Sequence, residues 1–142
     1  MMAAMADRQK ILLIDDTPAI LHVLNNILKD DYGILVAKSG EQGIISAKKF
    51  LPDLILLDVL MPGLSGYEVL EMLKSDETTK SIPVVLISGM DSDEDELKGY
   101  ELGAADYIKK PFVGAIVKYR VDFNMQFIFM KNYIAAGVGK MG

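Results

Sequence analysis

The sequence predicts an α/β fold in which five parallel strands form one sheet covered by helices on both faces. Two observations predict it: five short apolar runs alternate with five segments of helical periodicity, and one run, Leu54 to Leu57, is apolar at every position. An unbroken apolar run marks a strand buried on both faces. Regular alternation of strand and helix calls for right-handed crossovers, which lay successive strands parallel.

Lys10 to Ile14 reads as the first strand, closed by Asp15 and Asp16, and Thr17-Pro18 provides a cap and a first-turn proline for the helix that follows. That helix carries Ile20, Leu21, Val23, Leu24, Ile27 and Leu28 on a face meant for the sheet and stops near Asp30, Asp31 and Gly33. Tyr32 to Ala37 is the second strand and Gly40 to Phe50 the second helix; Asp53 to Leu57 is the third strand and Gly66 to Lys74 the third helix. Pro83 to Ile87 and Ser92 to Leu102 form the fourth pair, and Asp106 to Ile108 is a short last strand. The acids Asp91, Asp93, Glu94, Asp95 and Glu96 gather where a helix N-terminus favours negative charge, so they read as a solvated helix start, not a metal site.

At 142 residues the chain suits one domain with short extensions. A net charge of −5 argues against a nucleic-acid surface, which needs clustered Lys and Arg. The absence of cysteine removes disulfides, thiolate metal sites and cysteine nucleophiles, and suits a cytoplasmic location. Residues 1–7 read as a loose leader without the pattern of a signal peptide. Lys118, Arg120, Asp122 and Lys131 break the apolar C-terminal region, and no membrane insertion is expected.

In open α/β sheets, sites collect at the carboxyl ends of the strands. Asp15-Asp16, Asp58, Ser88 and Lys110 each follow, or sit close after, a different predicted strand, so the fold would converge them. A strand-end Asp58 can act as an oxygen nucleophile toward a phosphoryl donor. Asp15 and Asp16 add hard oxygen ligands, and three acids at one point need a cation such as Mg²⁺ between them. Each residue also has a plain structural reading: Asp58 as a strand terminator, Asp15-Asp16 as helix caps, Ser88 as a turn residue. Gly89 leaves open space beside Ser88, Lys110 offers a point charge for phosphoryl oxygens, and Pro111 can hold the bond before it in the cis form. The single His22 has no serine or cysteine nucleophile motif beside it and reads as structural or exposed.

Taken together, Ile11 to Asp16 (ILLIDD), Asp53 to Gly66 (DLILLDVLMPGLSG), Pro83 to Gly89 (PVVLISG) and Gly103 to Phe112 (GAADYIKKPF) resemble the receiver domains of response regulators, in order and in separation. The resemblance covers Arg8 to Phe112 and the start of the following helix. It implies a flavodoxin-like, doubly wound sheet of strand order 2-1-3-4-5 with five helices, and Asp58 as phosphoacceptor. Asp15, Asp16, Asp58 and the backbone carbonyl of Leu60 would hold Mg²⁺ or Mn²⁺, Lys110 would bind a phosphoryl oxygen, and Ser88 and Tyr107 would be the switch residues. The implied partners are a sensor histidine kinase or phosphotransfer protein as donor and an effector domain or protein as target. The domain would promote its own phosphorylation and dephosphorylation without being a stand-alone enzyme. Leu60 and Met90 are apolar where a polar side chain would orient a hydrolytic water, so slow self-dephosphorylation is expected.

Three rival functions on the same architecture fit less well. A phosphatase with an aspartyl nucleophile expects a second acid where Leu60 stands, a flavin site expects a Ser/Thr-rich loop after the first strand, and a binding module without phosphorylation leaves the acid, Ser and Lys set unused.

Phe112 to Ala136 makes one helix longer than the fold needs. Val113, Ile116, Val117, Val121, Met125 and Ile128 would form its stripe on the sheet, while Phe123, Phe127, Met130 and Ile134 resemble a short coiled-coil seam. Residues 8–122 are then expected to be the receiver domain, 123–136 an extension that dimerises, links to an effector or covers its own core, and 137–142 a flexible tail.

Overall fold

The structure, a computed structural model, describes residues 8–135. The expected leader 1–7, Ala136 and the tail 137–142 lie outside the described residues.

Ten elements alternate without exception: β1 Lys10–Ile14, α1 Pro18–Leu28, β2 Gly33–Ala37, α2 Gly40–Phe50, β3 Leu54–Asp58, α3 Gly66–Lys74, β4 Val84–Ser88, α4 Asp93–Glu101, β5 Asp106–Lys109 and α5 Gly114–Ala135. All neighbouring strands pair in parallel, in the order β2-β1-β3-β4-β5. This is the flavodoxin-like arrangement.

The uniform apolarity of the central strands follows from two cores. Leu12, Ile14, Ile55, Leu57, Val84 and Leu86 face one side, packed with Ile44, Ala47, Val69, Leu70 and Leu73 of α2 and α3. Their strand neighbours Ile11, Leu13, Leu54, Leu56, Val85 and Ile87 face the other side, with Leu21, Leu24 and Leu28 of α1 and Val117, Val121 and Met125 of α5. Successive residues of a strand point to opposite faces, so burial on both faces leaves no place for a polar residue until the strand ends.

Three expected strand ends move by one residue, β5 closing on Lys109 instead of Ile108. Asp58 and Ser88 are the last residues of β3 and β4 rather than the residues after them. Asp58 pairs with Ile87 and Ser88 with Lys109, so each polar side chain is held by sheet pairing. At the start of β4, Pro83 has no N–H to give and contributes only its carbonyl, which accepts from the Ile55 amide at 3.0 Å.

Three helices start on serine caps. Ser39, Ser65 and Ser92 accept from the amides of Gln42, Glu68 and Asp95, and Glu68 completes a capping box on Ser65. The acids of α4 lie in its first turn as expected. Thr17 stands at the cap position of α1 with Pro18 behind it, but its hydroxyl makes no capping bond; its own amide donates to Asp15 Oδ1 at 2.9 Å.

Some expected core positions are exposed. Val23 of α1 faces outward, and Val113 and Ile116, expected on the sheet stripe, are 59% and 50% exposed. Val113 precedes α5, so helical periodicity does not aim it, and Ile116 sits about 100° around the helix from the fully buried Val117. The buried stripe is Val117, Val121 and Met125, with Ile128 against it; α5 runs unbroken past residue 122. His22 is exposed and close to Asn26.

Candidate functional site

Strand-end pairing assembles the site. β1 and β3 are adjacent, with Ile14 opposite Leu57, so Asp15 and Asp58 emerge side by side. Their carboxylates are buried, whereas Asp16 is more open to solvent, and one oxygen from each of the three acids lies within 4.8 Å of the others. Asp15 Oδ1 accepts from the Thr17 amide at 2.9 Å, which restrains the carboxylate.

Lys110 comes from the far side of the sheet. Its amide donates to the Ser88 carbonyl at 2.7 Å, which ties the loop after β5 to the end of β4. From there its Nζ reaches Asp58 Oδ1 at 3.2 Å and Asp15 Oδ2 at 3.5 Å. The Lys110-Pro111 bond is cis, the form the sequence allowed.

One ammonium faces three carboxylates, so the cluster keeps an excess of negative charge. Burial, and then the charge of Asp15, push the Asp58 carboxyl above its ordinary range, against the opposing charge and hydrogen bond of Lys110. A hard divalent cation with carboxylate and water ligands answers this donor set, and all three acids expected to ligate it are together.

Ser88 is fully buried at the end of β4, and among the described residues other than its two chain neighbours a Cβ on Gly89 would meet nothing within 4 Å. The space expected beside Ser88 is present. Tyr107, paired with Leu86 across β4 and β5, is turned inward with 3% exposure. The two residues are joined through Met90: the Met90 amide donates to Ser88 Oγ at 3.0 Å, and the Tyr107 hydroxyl donates to the Met90 carbonyl at 2.6 Å.

That link was not legible in sequence, where Met90 stood out only for lacking a polar side chain. Gly66 was missed as well. A Cβ there would stand 2.3 Å from the Asp58 carbonyl oxygen and 2.6 Å from Val59 Cα, while the Gly66 amide donates to the Val59 carbonyl at 2.8 Å. The missing side chain lets α3 start directly against the backbone that carries Asp58. Its signal was a glycine placed just after the Ser65 cap. Leu60, by contrast, sits at the rim with its side chain exposed.

Comparison with known proteins decides the family. The model of the response regulator receiver domain matches residues 11–121. The chain belongs to this family.

Relatives of the receiver domain include the response regulator PleD of Caulobacter vibrioides, 40% identical over 113 residues, 79% of this chain and 25% of PleD. A probable cyclic di-GMP phosphodiesterase of Vibrio cholerae is 39% identical over 116 residues, 82% of this chain and 26% of that protein. The alkaline phosphatase synthesis transcriptional regulatory protein PhoP of Bacillus subtilis is 35% identical over 134 residues, 94% of this chain and 53% of PhoP. The chain thus spans between a quarter and about half of these relatives. Among solved structures, a putative response regulator from Chloroflexus aurantiacus superposes with a TM-score of 0.80 at 30% identity, covering 84% of this chain and 99% of that one. The BeF3-activated DrrB receiver domain gives 0.76 at 33% identity, over 84% and 98%. The protein is therefore a receiver domain of two-component signalling. No described helix is long and apolar enough to cross a membrane.

Proposed function

We propose that this receiver domain accepts a phosphoryl group on Asp58 from a phosphohistidine of a sensor histidine kinase or phosphotransfer protein, and passes the signal on through a changed protein-interaction surface. The observation that carries the reading is the junction of the Asp15, Asp16 and Asp58 carboxylates with the Lys110 ammonium at the carboxyl end of the sheet.

In this reading an Asp58 carboxylate oxygen forms a bond to phosphorus while the phosphorus–nitrogen bond of the donor breaks, and the imidazole keeps the electron pair and takes up a proton. Asp15, Asp16, Asp58 and the Leu60 carbonyl would hold Mg²⁺ or Mn²⁺, which supplies charge neutralisation of the phosphoryl oxygens. Lys110 is anchored by its backbone at Ser88 and has its ammonium already beside Asp58, so it can follow a phosphoryl oxygen without reordering the loop. Catalysis here is positioning and electrostatics, with no proton to be abstracted from Asp58.

Ser88 would then turn its hydroxyl to the phosphoryl group. Doing so releases the Met90 amide, and Met90 is also where the Tyr107 hydroxyl is bound, so the two side chains and the loop before α4 form one two-state element.

The test is incubation with acetyl phosphate and Mg²⁺, or with a phosphorylated kinase, followed by intact mass measurement. Wild type should gain one phosphoryl group and Asp58→Asn none. An unchanged wild-type mass with both donors overturns the proposal.

A further inference from the structure

At the amino ends of β3, β4 and β5, the end of the sheet away from Asp58, lies a cleft of about 440 Å³. Asp53, Ile82 and Gly103, in the segments before those strands, line it from the sheet, and Phe127, Ile128 and Lys131 line it from α5. These last three belong to the turns of α5 beyond residue 122, so the length that the fold does not need supplies a wall.

Two ammonium groups face this cleft without a counter-charge. Lys74 Nζ donates to the carbonyls of Ile82 at 2.9 Å and Lys80 at 3.2 Å, which takes two of its three N–H groups and leaves one. Its stem is held against Gly103, where a Cβ would stand 3.3 Å from Lys74 Cγ. Lys80 is already paired with Glu77 at 2.9 Å, but among the described residues no carboxylate pairs with Lys74 or Lys131. Burial, and then the like charge of Lys131, hold the Lys74 ammonium below its ordinary range. An anion between the two lysines would relieve that repulsion.

We infer that this cleft binds a nucleoside monophosphate, with the phosphate between Lys74 and Lys131 and the base against Phe127. The volume falls within the range of small-molecule sites, about 300–1,000 Å³. Phe127 is 66% exposed and offers a ring face on which a base can stack, beside the apolar Ile82 and Ile128.

Polarity runs along the cleft. Asp53 exchanges hydrogen bonds with Lys10 of β1, its amide to the Lys10 carbonyl at 2.8 Å and the Lys10 amide to its Oδ2 at 2.7 Å. It therefore stands toward β1, whereas Lys74 stands over the segments before β4 and β5. A ligand that is anionic at one end and donates hydrogen bonds at the other, through a base or ribose, matches both ends; inorganic phosphate uses only one.

Nuclear magnetic resonance titration of the 142-residue chain in magnesium-free buffer tests this, with adenosine and guanosine monophosphates up to about 10 mM, a decade above a millimolar dissociation constant. Both should shift the Ile82, Ala105 and Ile128 amides saturably and leave those of Asp58 and Ser88 in place. Adenosine should bind at least about tenfold more weakly than its monophosphate, as should the nucleotides to Lys131→Ala, which changes an exposed side chain. Inorganic phosphate, and the nucleotides on Phe127→Ala, should lose about fivefold or more. Absence of saturable shifts with both nucleotides overturns the inference, as do shifts confined to the Asp58 end, phosphate binding as tightly as the nucleotides, or undiminished affinity in a Lys131→Ala variant with a wild-type melt. Phosphoryl acceptance by Asp58 does not enter any of these outcomes.

Discussion

Lys110 brings its ammonium 3.2 Å from Asp58 Oδ1 and 3.5 Å from Asp15 Oδ2, and so bridges two carboxylates that emerge from adjacent strands. Lys110→Ala should leave these buried acids without their counter-charge. In metal-free buffer we expect the variant to lose about 1–3 kcal/mol of stability. Its affinity for Mg²⁺ should rise several-fold, because a competing cation is gone, while phosphoryl uptake from acetyl phosphate falls. Urea melts with calorimetric Mg²⁺ titration check the pair of effects; a drop in metal affinity would count against the shared site.

Asp58 binds its proton more tightly in the folded chain than in the unfolded one, since burial and Asp15 raise its pKa. Stability from this group is therefore full below the ordinary value of 3.8 and is lost as the pH rises through the folded pKa. Relative to Asp58→Asn, wild type without metal should gain stability on acidification through that window. Saturating Mg²⁺ should flatten the difference. Thermal melts of both proteins across the acid range, with and without Mg²⁺, give the comparison.

Gly66→Ala would drive a methyl group into the backbone at Asp58 and Val59, which are not free side-chain ends. A loss of about 1–3 kcal/mol is expected. The displaced Asp58 should also weaken Mg²⁺ binding. A stable variant with wild-type metal affinity would show that α3 can back away from β3.

Tyr107→Phe removes the hydroxyl bound to the Met90 carbonyl and keeps the ring. The cost should be about 0.5–1.5 kcal/mol. Hydrogen exchange at the Met90 amide should quicken, because the bond from that amide to Ser88 then holds the loop alone. Unchanged exchange would separate the two residues that the proposed switch couples.

Leu60 lies exposed at the rim, where a polar side chain could orient an attacking water. The wild-type phosphoprotein should be long-lived, and Leu60→Asn should shorten its lifetime several-fold. Loss of label followed by intact mass measures this, and a faster loss in wild type refutes it.

Much of this protein follows from sequence alone. A run such as Leu54 to Leu57, short and bounded by Pro52-Asp53 and by Asp58, suits a strand covered on both faces, and the alternation of five short apolar runs with five helical segments sets the fold class. Asp15, Asp58, Ser88 and Lys110 were legible as a set because a strand's end is the first place its chain can afford a polar side chain. Tertiary structure decided what depends on distance between segments remote in sequence. It put Gly66 under the backbone of Asp58, joined Ser88 to Tyr107 through Met90, and turned Val113 and Ile116 outward while Val117 went in. In α5 both faces are apolar, so periodicity offers two stripes to the sheet, and only the packing of α5 beside α1 on that face of the sheet selects which is buried.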